Sequence, residues 1–155
     1  NIEDREARTE MGKASCIAGF AFEKSGLGIN HSLAHAIGGK FHKSHGRSNG
    51  TILPFIIRFN SSDEETARRY YEIAKEMEFP CSTVAEGAES LAVAVEVLNK
   101  TLGIPSCVRE MGVDEKQYME LIPEMAESAL KDICTSGNIK KVSLEDMKIL
   151  LKKVF

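Results

Sequence analysis

The sequence predicts an all-α fold, a helical bundle-like domain of seven to eight helices, from three observations. Apolar residues recur at three- and four-residue steps over most of the chain, the period of a helix with one buried face. Several of these stretches are preceded by a hydroxyl or carboxylate placed to cap free backbone N–H groups. No stretch alternates apolar and polar residues in a way that would support a strand. Composition agrees: there is no Trp and there are four Pro in 155 residues, and the long Ala/Leu/Glu/Lys/Met runs lose little rotamer freedom in a helix. At 43% hydrophobic, residues 1–155 are enough for one domain with a real core.

The first helix is expected from Asp4 to Phe22, with Ala7, Met11, Ala14, Ile17, Ala18 and Ala21 on its apolar edge. Gly12 and Gly19 cost such a helix roughly 1 kcal/mol each, which predicts a neighbour packed close to its backbone. Ser25-Gly26-Leu27-Gly28 ends it, and a second helix covers Ile29 to Phe41. The stretch from His45 to Gly50 has loop chemistry or leads into a helix start, and Thr51 to Phe59 predicts a buried helix with Pro54 in its first turns. Ser62 with Glu65 forms a capping box for a helix reaching about Glu78, ahead of Pro80. Asp63-Glu64-Glu65 then reads as ordinary helix-start charge.

Ser82 or Thr83 starts the next helix, whose expected buried stripe is Leu91, Val95, Leu98 and Leu102, stopped by Gly103-Ile104-Pro105. Asp114 with Gln117 caps a helix that Pro123 is expected to break and restart up to Asp132. A loop from Cys134 to Asn138 follows. Ser143 with Asp146 caps the last helix, which ends near Val154.

Charge and cysteine usage exclude several classes of function. A net charge of −3 with both signs interspersed offers no positive field for nucleic acid. The longest clean apolar run, Leu91 to Val95, is far short of the roughly 20 residues a bilayer requires. Cys16, Cys81, Cys107 and Cys134 contain no CxxC pair and read as reduced thiols of a cytoplasmic protein. The chain opens at Asn1 without an initiator Met, which suggests a part of something longer.

All four histidines, His31, His35, His42 and His45, fall within fifteen positions, and the chemistry that best explains such a cluster is metal binding. His31 and His35 lie four apart on a predicted helix and project from one face; His45 lies one loop further on. A catalytic transition metal typically takes three protein ligands and keeps a position open. No Glu follows the first His, so the metalloprotease pattern HExxH is absent. His42, between Lys40 and Lys43, reads as a solvated surface residue. Gly26-x-Gly28 fails as a dinucleotide fingerprint, because His31 stands at the third glycine position and no strand precedes the turn.

The pattern Gly26-Leu27-Gly28-x-x-His31-x-x-Ala34-His35-x-x-Gly38, continued by His45-Gly46-x-x-Asn49, Leu53-Pro54 and Arg58-Phe59-Asn60, closely resembles the signature of the iron-containing (group III) alcohol dehydrogenases. Weaker similarity extends to Cys134-Thr135-x-x-Asn138 and the closing Ser143-Leu144-Glu145-Asp146 helix. Ala36 and Ile139-Lys140 depart from the family's usual Pro and Pro-Arg.

The resemblance implies a dehydroquinate synthase-like C-terminal helical domain that follows a nucleotide-binding α/β domain. It implies a divalent ion, Fe2+ or alternatively Zn2+, with His31 and His45 among its ligands, and NAD or NADP held mainly by the other domain. It gives His35 a catalytic or proton-relay place near the nicotinamide, whereas spacing alone pairs His31 with His35. Phe22, Leu27 and Cys134 would border the pocket for a small alcohol or aldehyde, and homo-oligomers are compatible. No Asp followed four residues later by His occurs here, so the chain supplies half a metal site and is expected to be inactive alone. The competing expectations are a non-catalytic helical assembly module and a glycerol-type dehydrogenase.

Overall fold

Seven α-helices and two short 3-10 turns build the computed structural model, which describes residues 3–155 and contains no strand among them. The helices are α1 (Arg5–Ser25), α2 (Ile29–Phe41), α3 (His45–Asn60), α4 (Glu64–Glu76), α5 (Val84–Thr101), α6 (Glu115–Lys131) and α7 (Leu144–Lys153). The 3-10 turns are Arg109–Met111 and Ile133–Gly137. No helix among the described residues is long and apolar enough to cross a membrane.

The core forms around α2, whose Ile29, Leu33 and Ile37 recur every four residues and are fully buried. They meet Ile52 and Ile56 of α3, Tyr118, Ile122 and Met125 of α6, and Met147, Leu150 and Leu151 of α7. Two residues further along a helix is a rotation of about 200°. His31 and His35 therefore lie roughly opposite the Ile29–Leu33–Ile37 stripe, and the packing that anchors α2 leaves its histidine face toward the surface.

Helix α3 begins at His45, six residues before the expected start. Gly46, Ser48, Asn49 and Gly50 are weak helix formers, and at Gly50 close neighbours leave room only for a small residue. A Cβ on Gly50 would lie 3.3 Å from Ile104 and 3.4 Å from Asn99. Pro54 consequently sits in the middle of α3 and withholds the N–H that would bond the Gly50 carbonyl. Asn99 Nδ2 of α5 donates to that carbonyl at 2.7 Å, so the defect in one helix becomes the tie to another. Asn99→Ala is expected to cost about 1–3 kcal/mol, visible as an earlier urea midpoint with an unchanged slope.

Several other expectations are corrected. Asp63 caps α4, accepting from the Thr66 N–H and hydroxyl, while Ser62 Oγ donates to the Phe59 carbonyl and Glu65 pairs with Arg69. The buried stripe of α5 is Gly87, Ala88, Ala92 and Asn99, and Leu98 and Leu102 are exposed. Small residues face inward because α4 comes close: a Cβ on Gly87 would stand 2.8 Å from the Tyr71 Cα.

Helix α6 runs unbroken through Pro123. Its stripe Tyr118, Ile122, Met125, Ala126 and Ala129 stays buried along the whole length, and the Met119 carbonyl that Pro123 leaves unbonded belongs to an exposed residue. The Asp114 cap and the capping box at Ser143 are present as the sequence predicts, and of the two candidates Ser82 and Thr83 it is Thr83 that caps α5, in a capping box with Glu86.

Helix α1 departs most. It extends to Ser25, and none of its residues is buried. Met11, Ile17 and Phe20 are each 69% exposed, and nothing lies within 4 Å of the space a Cβ would take at Gly12 or Gly19. The close neighbour expected at these glycines is not among the described residues.

Candidate metal centre

Three elements converge on the histidine face of α2. Helix α2 carries His31 and His35 one turn apart, and His45 is the first residue of α3, which returns beside α2 after the short turn through His42 and Ser44. The 3-10 turn Ile133–Gly137 approaches from the other side. It is tied down by the Thr135 hydroxyl, which donates to the Ala129 carbonyl at 2.7 Å and accepts from the Ser32 hydroxyl at 2.8 Å.

The turn at 26–28 is held by an amide network. Asn60 and Asn138 exchange side-chain hydrogen bonds of 3.1 and 3.0 Å, and Asn138 Oδ1 also accepts from the Ile29 N–H at the start of α2. A Cβ on Gly137 would come within 2.0 Å of the Leu27 carbonyl oxygen. Only glycine lets these two backbones meet, and their meeting places Leu27 beside Cys134.

The three rings of His31, His35 and His45 form one cluster. Their centroids are 5.2 Å apart for His31–His45, 5.3 Å for His35–His45 and 6.0 Å for His31–His35. His42 does not join them; it ends α2 in the left-handed region with φ 52° and is exposed. Burial, reinforced by the neighbouring His45 and His35, pushes the His31 pKa down, against a weaker opposing pull from Asp132. This shift favours the neutral form of the ring, the form that binds metal ions.

Asp132 is the residue that sequence reasoning missed. Its Oδ2 lies 2.8 Å from His35 Nδ1, and its Oδ1 accepts the Cys134 N–H at 2.8 Å. Burial raises its carboxyl pKa, but hydrogen bonds from His35 and Cys134 outweigh that and hold it below the usual range. Burial first, and Asp132 second, push the Cys134 thiol up. The available signal was an acid two residues before Cys134, in position to cap a tight turn.

Two donor sets can therefore be distinguished. One is the imidazole pair His31 and His45. The other is His35, Asp132 and Cys134, whose ligand atoms lie within 4.8 Å of one another. Phe22, Leu27 and Cys134 line a single cleft of about 450 Å³ between the end of α1 and the 3-10 turn. A cavity of about 720 Å³ between α3 and α5 includes Arg47, Phe55 and Asn99 but none of the histidines, and lies apart from this chemistry.

Comparison with known proteins shows the family. The family model for the Fe-containing alcohol dehydrogenase family, C-terminal part, matches residues 1–155. An NADPH-dependent butanol dehydrogenase of Clostridium saccharobutylicum is 38% identical over 152 residues, covering 98% of this chain and 39% of that protein. An aldehyde-alcohol dehydrogenase of Streptococcus pneumoniae is 37% identical over 164 residues, covering 98% of this chain and 19% of that protein. The solved alcohol dehydrogenase from Oenococcus oeni superposes with a TM-score of 0.90 at 29% identity, covering 100% of this chain and 39% of that one. The chain thus spans about two fifths or less of the length of these relatives. It belongs to the Fe-containing alcohol dehydrogenase family and corresponds to that family's C-terminal, helical part.

Proposed function

We propose that this chain is the metal-holding part of a longer NAD(P)-dependent alcohol dehydrogenase that interconverts a primary alcohol and its aldehyde. His31 and His45 hold a divalent ion, Fe2+ in keeping with the family and Zn2+ as the alternative. Remaining ligands and the nicotinamide site come from sequence preceding this chain. The observation that carries the reading is the His31–His45 pair, two imidazoles 5.2 Å apart on different helices.

The donor chemistry fits this ion. Neutral imidazole suits both iron and zinc. The competing trio fits less well, since His35 and Asp132 already satisfy each other and the Cys134 thiol resists ionisation. A divalent ion supplies a Lewis acid that stabilises negative charge developing on the alcohol oxygen. His35, next to both imidazoles, is placed to take or return the proton of the alcohol. Phe22, Leu27 and Cys134 give the substrate an apolar border that limits water.

The test is the metal content of the full-length protein carrying this chain. His31→Ala and His45→Ala are each expected to lose the ion while Cys134→Ala retains it; loss in Cys134→Ala with retention in the histidine variants would sink the assignment. The isolated 155-residue chain is expected to show no NAD(P)-linked alcohol oxidation, and clear turnover would contradict the reading. A second reading is a helical assembly module, which the exposed Met11, Ile17 and Phe20 of α1 favour. It predicts that the histidine variants leave metal content and association unchanged.

A further inference from the structure

We propose that Asp132 is a positioning residue that fixes His35 in its Nδ1-protonated tautomer and holds the ring in place beside His31 and His45. The inference rests on the preceding reading only in giving His35 a proton to move.

Both oxygens of Asp132 are committed. Oδ1 caps the 3-10 turn through the Cys134 N–H, and Oδ2 faces His35 Nδ1, each at 2.8 Å. An ionised carboxylate only accepts hydrogen bonds, so the proton shared with His35 resides on Nδ1, and Nε2 of the neutral ring is left as an acceptor. The His35 side chain is 41% exposed, and Asp132 is its hydrogen-bonding partner among the described residues.

A second link keeps the pair in register. Thr135 joins Ser32, which lies one turn before His35 on α2. The segment bearing Asp132 is thus attached to the same helix at two successive turns. With Nε2 as acceptor, an alcohol O–H proton passes to that nitrogen, and the imidazolium formed keeps its Nδ1 proton on the Asp132 carboxylate. The O–H bond breaks as the N–H bond forms, and the alkoxide left behind carries the negative charge that offsets the imidazolium. Cys134 contributes its backbone N–H, which orients the carboxylate.

The test reads the tautomer directly. In the chain labelled with 15N-histidine, long-range 1H–15N correlation at mildly alkaline pH is expected to show His35 protonated at Nδ1 and bare at Nε2. Asp132→Ala is expected to move His35 to the Nε2-protonated form that free histidine prefers. Wild-type His35 already protonated at Nε2, or a spectrum indifferent to Asp132→Ala, overturns the proposal. The wild-type spectrum decides the point even if Asp132→Ala fails to fold.

In the full-length protein, the near-isosteric Asp132→Asn keeps the turn capped. It is expected to lower kcat by about 10- to 100-fold, part of what positioned acid–base chemistry supplies, with KM moved far less. An unchanged kcat also overturns the positioning role. The tautomer requires neither metal nor nicotinamide, so it fails separately from the dehydrogenase reading, which His35→Ala with full turnover would defeat while leaving the tautomer result standing.

Discussion

His31→Ala and His45→Ala are expected to leave the full-length protein without its metal and to reduce turnover by about a thousandfold or more, the effect of losing several kcal/mol of charge stabilisation. Each imidazole comes from a different helix, so neither substitutes for the other. The His35 ring stands 6.0 Å from His31 and 5.3 Å from His45, with Nδ1 engaged by Asp132 and only Nε2 left unbonded. His42→Ala is the control. It lies outside the cluster, exposed at the end of α2, and is expected to leave metal content and turnover as they were. Atomic absorption on the purified variants and initial rates of alcohol oxidation check both statements.

Tyr118→Ala is expected to be the most destabilising single change in the core. The side chain is fully buried and stacks between Phe41 and Phe155, with centroids 5.6 and 4.6 Å away. Its hydroxyl donates to the Leu151 carbonyl at 2.9 Å. That carbonyl lies in the last turn of α7, where the helix itself provides no partner, so the tyrosine caps one helix from another. Truncating an aromatic at such a site costs about 3–5 kcal/mol, which in a domain of this size lowers Tm on the order of 10 °C. Tyr118→Phe keeps the stacking and loses only the cap, so its loss is expected to be about 1–3 kcal/mol. Thermal unfolding of the two variants separates the packing contribution from the hydrogen bond.

What was legible in the sequence was local. Thr83, Asp114 and Ser143 announce their helices because a cap is decided within four residues, and the structure has all three. The start of α3 was not legible, because Gly46, Ser48, Asn49 and Gly50 read as a loop until α5 is brought against them. The outer position of Leu98 and Leu102 was hidden for the same reason: α5 turns its small residues toward α4, and only tertiary packing dictates that. Pro123 misled because a proline stops an isolated helix, while α6 is held straight by a stripe buried along its whole length.

The site divides in the same way. Spacing on one helix pairs His31 with His35, and the resemblance pairs His31 with His45. The folded chain brings all three rings together, since α3 returns His45 across the face of α2. Asp132 stayed hidden because its partner His35 lies 97 residues away, and neither local pattern nor composition reports a contact of that range. Helix α1 shows the limit most clearly. The sequence predicts a neighbour packed close to its backbone, and among the described residues that face is uncovered.

X-ray absorption at the zinc edge of the full-length protein loaded with zinc tests the central claim most directly. With His31 and His45 as ligands, the spectrum is expected to show only nitrogen and oxygen neighbours, at about 2.0–2.2 Å, with imidazole scattering that weakens in His45→Ala. A sulfur neighbour at about 2.3 Å would place the ion on Cys134, in the trio with His35 and Asp132, and would contradict the account.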